Sequence, residues 1–103
     1  MTFSKLGLNK NIQKAIEDLG FVEPTPIQKE AIAYLIDEDK DLIALAQTGT
    51  GKTAAFGLPI IEKIELDRKL PQSIILCPTR ELCLQIAKDM DSYAKYTKGL
   101  KIT

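Results

Sequence analysis

The chain has no histidine and only two cysteines, Cys77 and Cys83. Without an imidazole it has no Ser–His or Cys–His nucleophilic pair, and too few ligands remain for a zinc centre. The two cysteines are expected to be small buried hydrophobes in a reducing compartment. Neither sign of charge is in excess, with 14 Lys plus Arg against 14 Asp plus Glu. Bulk charge therefore gives no attraction for nucleic acid, and any such binding must rest on a local site. Long apolar runs are missing too; Leu42 to Ala46 is among the longest, far short of a bilayer span. The opening stretch MTFSKLGLNKN lacks the apolar core of a signal peptide, so export is not expected.

What is present fits a soluble globular fold: 103 residues, 45% hydrophobic and 27% charged, the size of one small domain or part of a larger one. Ile12, Ala15, Ile16 and Leu19 form one helical stripe, and Gly20 is a natural stop. In GFVEPTPIQ, Gly20 to Gln28, Thr25 reads as an N-cap with Pro26 at the first helical position. The helix that follows should reach about Ile36 and bury Ile27, Ala31 and Leu35. The acidic segment DEDKD, Asp37 to Asp41, reads as a solvated turn. Leu42–Ala46 reads as a strand buried on both faces. A helix from about Lys52 to Ile64 contains Gly57 and Pro59, which predicts a kink near Phe56 or a local break. After the connector LDRKLPQ, Ser73–Cys77 reads as a second buried strand. Thr79 then caps an amphipathic helix with Leu82, Ile86, Met90 and Tyr93 on one side. Lys95 and Lys98 suit its negative pole and Gly99 its stop. Leu100–Ile102 opens a third strand. This order predicts an α/β fold, a parallel sheet with flanking helices and right-handed crossovers. Ligands in such sheets sit at the carboxyl ends of the strands, here after Ala46 and Cys77.

Ala46 to Thr53 reads AQTGTGKT and differs from the phosphate-loop pattern G-x-x-x-x-G-K-[ST] only at its first position. Gly49 and Gly51 let the backbone turn its N–H groups toward phosphate oxygens. The helix start adds positive potential, Lys52 reaches the β and γ phosphates, and the Thr53 hydroxyl suits magnesium. Alanine in a left-handed conformation would cost roughly 1–2 kcal/mol, so Ala46 should keep a negative φ as the last strand residue.

Two further positions admit two readings each. The helix after Thr25 and the strand after it have similar reach, so Gln28 should return near the phosphate loop. Its carboxamide can match an adenine's amino group and N7. Equally, Thr25 and Gln28 form T-x-x-Q, a capping box with no ligand role. Arg80, in PTREL, stands in a helical first turn that normally favours acids. It can serve a nucleic-acid phosphate, or simply pair with Glu81 or another acid.

Taken together, Phe3, GFVEPTPIQ, AQTGTGKT and PTREL resemble the amino-terminal motifs of a DEAD-box RNA helicase over nearly the whole chain. The resemblance implies ATP and Mg2+ as cofactors and RNA as partner, with no membrane. It implies that Phe3, Phe21, Gln28, Ala46, Gln47, Thr48, Gly49, Thr50, Gly51, Lys52 and Thr53 form the nucleotide site. In it Lys52 and Thr53 serve catalysis, Thr53 holds magnesium, and Pro78, Thr79 and Arg80 line the RNA path. The family also carries alanine at the position of Ala46. The acid that should complete the magnesium site is not found; no Asp-Glu-Ala-Asp occurs. Residues 1–103 are therefore expected to be the amino-terminal part of a first RecA-like P-loop domain, from a bacterial cytoplasmic ATP-dependent RNA helicase. On that expectation they bind nucleotide weakly, do not hydrolyse it and self-associate through an unfinished sheet. The alternatives are another P-loop NTPase, such as a DNA helicase, or a non-enzymatic nucleotide- or RNA-binding module.

Overall fold

The computed structural model describes residues 3–37, 41–43 and 51–103. Among the described residues, a short 3₁₀ turn at Phe3–Lys5 is followed by four helices: α1 (Lys10–Asp18), α2 (Pro26–Asp37), α3 (Lys52–Lys63) and α4 (Arg80–Tyr93). The helix α3 is the hub, packing along α2 and touching both α1 and α4.

The apolar stripe of α1 works as expected over Ile12, Ala15 and Ile16, all buried. The Asn9 carboxamide oxygen caps it, accepting the Ile12 N–H at 3.0 Å. Leu19 departs from the expectation: it is the C-cap and exposed, because the chain turns away at Gly20, φ +86°. In α2 the buried face is Gln28, Ala31 and Ile32 rather than Ile27, Ala31 and Leu35. The helix is rotated by about one position, because Gln28 is drawn inward to polar partners on α3's side.

Gly57 and Pro59 do not break α3, which runs unbroken from Lys52 to Lys63. Proline removes one intrahelical bond, at a cost of roughly 3 kcal/mol. Burial of Leu58, Pro59 and Ile61 against the neighbouring helices offsets this loss. Gly57 has a packing reason: a Cβ there would stand 2.6 Å from the Met90 sulfur of α4. In the same core, Phe3 lies on Phe21 with centroids 5.9 Å apart, and Phe21 meets the edge of Tyr93 at 6.2 Å.

No strand forms among the described residues. Of the expected first strand, Leu42 and Ile43 are exposed, while residues 44–46 lie outside the described residues, as does the centre of the acidic turn, 38–40. Residues 73–77 and 100–102 lack ladder bonds. Their side chains still alternate: Ile75, Cys77, Leu100 and Ile102 are half-buried, while Ile74, Leu76 and Lys101 face out. A strand exists only where a lateral neighbour takes its backbone groups. The burial expected on both faces fails at Ile74, 80% exposed, and Leu76, 91% exposed.

In α4, Met90 and Tyr93 are buried, Ile86 is half-buried and Leu82 is exposed. The helix ends at Ala94, its C-cap, so neither Lys95 nor Gly99 does the work expected of it. Lys95 instead reaches Asp18 of α1 at 3.2 Å, and the Tyr96 hydroxyl donates to the same carboxylate. Lys14 stands over the Tyr96 ring at 4.5 Å. These bonds join the end of α1 to the segment after α4.

Two outcomes test this packing. Gly57→Ala should destabilise the fold despite alanine's higher helix propensity, since overpacking typically costs about 1–3 kcal/mol; a thermal melt reads the loss. The Asp18 carboxyl is held below its usual value, first by the Tyr96 hydroxyl and then by Lys95. A depressed carboxylate stabilises the fold above its unfolded pKa, and that contribution fades as pH falls through the lowered value. Asp18→Asn should therefore lower the urea midpoint at neutral pH, and the gap from the parent should close in strong acid.

Candidate functional site

The site grows from the start of α2. The Thr25 N–H donates to Gln28 Oε1 at 2.9 Å, and the Gln28 N–H donates to Thr25 Oγ1 at 3.3 Å. This is a complete capping box. Gln28 nevertheless has a second function, because its Nε2 donates to the Gly51 carbonyl at 3.3 Å. The side chain is 4% exposed. The oxygen closes the cap, while the nitrogen reaches Gly51 within AQTGTGKT. The sequence argument placed Gln28 near this loop from element lengths. It did not identify the Gly51 carbonyl as the partner, and nothing in the spacing signals that atom.

Gly51 is the N-cap of α3, with φ +82° and ψ 29°. Two constraints select glycine here. The left-handed backbone disfavours a side chain, and a Cβ would run into the Gln28 carboxamide. Having no side chain, Gly51 gives α3 no side-chain cap, unlike α1 and α4, where Asn9 and Thr79 cap. The first N–H groups of α3 are left for other acceptors, and an anion is favoured at such a terminus. Lys52 is exposed and Thr53 half-buried in that first turn, so an ammonium and a hydroxyl accompany those N–H groups. These residues fit a nucleoside triphosphate with magnesium. Ala46, Gln47, Thr48, Gly49 and Thr50 lie outside the described residues.

Phe3 is buried and Phe21 half-buried, joined through Tyr93 to the core. At the start of α4, Thr79 has extended backbone angles and its Oγ1 accepts the Leu82 N–H at 3.1 Å. Pro78, Thr79 and Arg80 are all exposed. Among the described residues Arg80 forms no ion pair with Glu81, so its guanidinium is free for an outside partner. No group of His, Cys, Asp and Glu among the described residues could hold a metal by itself, and none of their helices is long and apolar enough to cross a membrane.

The family model for DEAD/DEAH box helicases matches residues 25–103. The chain is 48% identical over 102 residues to an ATP-dependent RNA helicase DeaD of Buchnera aphidicola, covering 99% of the chain and 17% of that protein. It is 44% identical over 101 residues to the protein of the same name from Escherichia coli strain K12, covering 98% of the chain and 16% of that protein. The chain thus spans about a sixth of the length of these relatives. Among solved structures, a DEAD box protein from Methanococcus jannaschii superposes with TM-score 0.85 at 41% identity, covering 90% of this chain and 25% of that one. S. cerevisiae Dbp5 bound to RNA and ADP BeF3 superposes with TM-score 0.91 at 37% identity, covering 94% and 25%.

Gly51→Ala separates the junction from the rest of the fold. Left-handed alanine costs roughly 1–2 kcal/mol, and displacing Gln28 removes a buried hydrogen bond worth about 1 kcal/mol. Gln28→Ala in the same background should then cost less than it does alone; urea melts of the double-mutant cycle read the difference.

Proposed function

The chain belongs to the DEAD/DEAH box helicase family, and from that premise we propose that it carries the ATP-holding and part of the RNA-holding surface of an ATP-dependent RNA helicase. The observation that carries this reading is the bond from Gln28 to Gly51, 3.3 Å long. It ties a carboxamide suited to an adenine edge to the glycine that starts the phosphate-loop helix.

In this reading ATP supplies the phosphoryl group and Mg2+ neutralises its oxygens. The protein's own residues do the rest. Gln28 reads the base, with Phe3 and Phe21 packed near it. The backbone of Ala46, Gln47, Thr48, Gly49, Thr50 and Gly51 wraps the phosphates. Lys52 brings its ammonium to the terminal phosphates and Thr53 its hydroxyl to the metal. Pro78, Thr79 and Arg80 form a backbone-phosphate contact for RNA, which the exposure and free guanidinium of Arg80 support. Such contacts position a strand without reading its sequence.

Residues 1–103 correspond, in this proposal, to the amino-terminal part of the first RecA-like domain. The segments 42–46, 73–77 and 100–102 are expected to become strands of its parallel sheet once lateral partners are supplied. The alternating burial at 73–77 and 100–102 supports this. Taken alone, the 103 residues are expected to self-associate, which the exposure of Ile43, Ile74 and Leu76 supports. The whole protein would hydrolyse ATP in the cytoplasm to separate or remodel RNA duplexes. The acid needed to complete the metal site and position water lies in a part of the family pattern with no counterpart among these residues.

Titration with a fluorescent ATP analogue tests the reading. Lys52→Ala removes a charge-assisted bond worth about 1.5–3 kcal/mol, a loss of roughly 10- to 100-fold in affinity. Gln28→Ala should erase the preference for adenine over guanine nucleotides. Unchanged binding in Lys52→Ala, or equal binding of both bases by the parent, would sink it.

A further inference from the structure

The sequence alone made Cys77 and Cys83 inert buried hydrophobes, but the fold sets them differently. Cys77 is half-buried and Cys83 exposed. Both line one cleft of about 750 Å³, whose walls include Ile75, Ile86 and Met90. Thr79 turns the chain between them: its hydroxyl accepts from the Leu82 N–H and its carbonyl from the Cys83 N–H, each at 3.1 Å. Cys83 is thereby fixed one turn into α4, on the side that shares the cleft with Cys77. Both thiols thus open on the same cleft, on either side of the Thr79 cap.

The cysteines differ in reactivity. Burial, then the neighbouring Cys83, pushes the Cys77 thiol up, so Cys77 is the poorer first nucleophile. Cys83, open to solvent, is placed to meet an oxidant first, with Cys77 beside it as the resolving thiol.

We propose that Cys77 and Cys83 are a modification site, closing to a reversible intramolecular disulfide across the Pro78–Arg80 turn when the protein meets a peroxide. The Cys83 sulfur attacks a peroxide oxygen; the O–O bond breaks, a sulfenic acid forms, and the departing hydroxide takes the thiol proton as water. The Cys77 sulfur then attacks the Cys83 sulfur; the S–O bond breaks, the S–S bond forms, and a second water leaves with the Cys77 proton. Two electrons from the thiol pair reduce one peroxide to two waters. The bridge ties the first turn of α4 to the extended segment before it, so redox state sets how freely the turn carrying Arg80 moves.

Intact-mass measurement after hydrogen peroxide treatment tests this. The parent should lose two hydrogen atoms per chain, regain them with dithiothreitol, and yield a linked Cys77–Cys83 peptide. C77S should instead retain oxygen on Cys83, and C83S should react more slowly. The folded chain should close roughly tenfold faster than the chain in urea, since held reactants gain effective concentration. Overoxidised Cys83 beside an untouched Cys77, disulfides only between two chains, no reaction, or equal rates in and out of urea would each overturn the proposal.

Discussion

A single buried carboxamide joins the two halves of the candidate site. Gln28 accepts from the Thr25 backbone with its oxygen and donates to the Gly51 carbonyl with its nitrogen. A side chain this buried must satisfy both ends or pay for the omission. Satisfying both fixes the rotation of α2, which is why Ala31 and Ile32 face inward and Ile27 does not. It also fixes where α3 begins. Gly51 accepts the geometry because it has no Cβ to strike the amide. Local capping, helix packing and the placement of Lys52 and Thr53 therefore share one origin.

The core around α3 follows from this start. Once the helix begins at Lys52, its small residues Ala54, Ala55 and Gly57 come to the packed faces, and Leu58 is fully enclosed. Close approach to Met90 is possible only because Gly57 leaves room. A proline in the same helix is tolerated since its lost hydrogen bond is small beside the burial of its neighbours. Sequence rules that treat Pro59 as a breaker weigh the backbone alone; here packing outweighs it.

The helices were legible in the sequence because their determinants are local. Asn9, Thr79 and the Thr25–Gln28 box act within one turn, and Gly20 acts on its own φ. The phosphate-loop pattern was likewise local, and Gln28 lies beside Gly51 as expected. What was not legible depends on partners distant in the chain. Ile74 and Leu76 read as buried because their type suits a two-sided strand, yet burial needs another layer to cover them. Lys95 read as a helix-pole charge, but its partner Asp18 belongs to α1. Cys77 and Cys83 read as buried hydrophobes; the turn at Thr79 opens both on one cleft. Their spacing across an N-cap was the available signal.

The joint between α1 and the segment after α4 has an optical consequence. The chain has three tyrosines and no tryptophan, so its ultraviolet emission comes from phenols alone. The Tyr96 phenol donates to a carboxylate and lies under two ammonium groups, from Lys14 and Lys95. A phenol becomes a stronger acid on excitation, and a carboxylate already in place can take its proton and quench the light. Tyr96 is thus a built-in reporter, dim while α1 and the end of α4 are docked and brighter when they part.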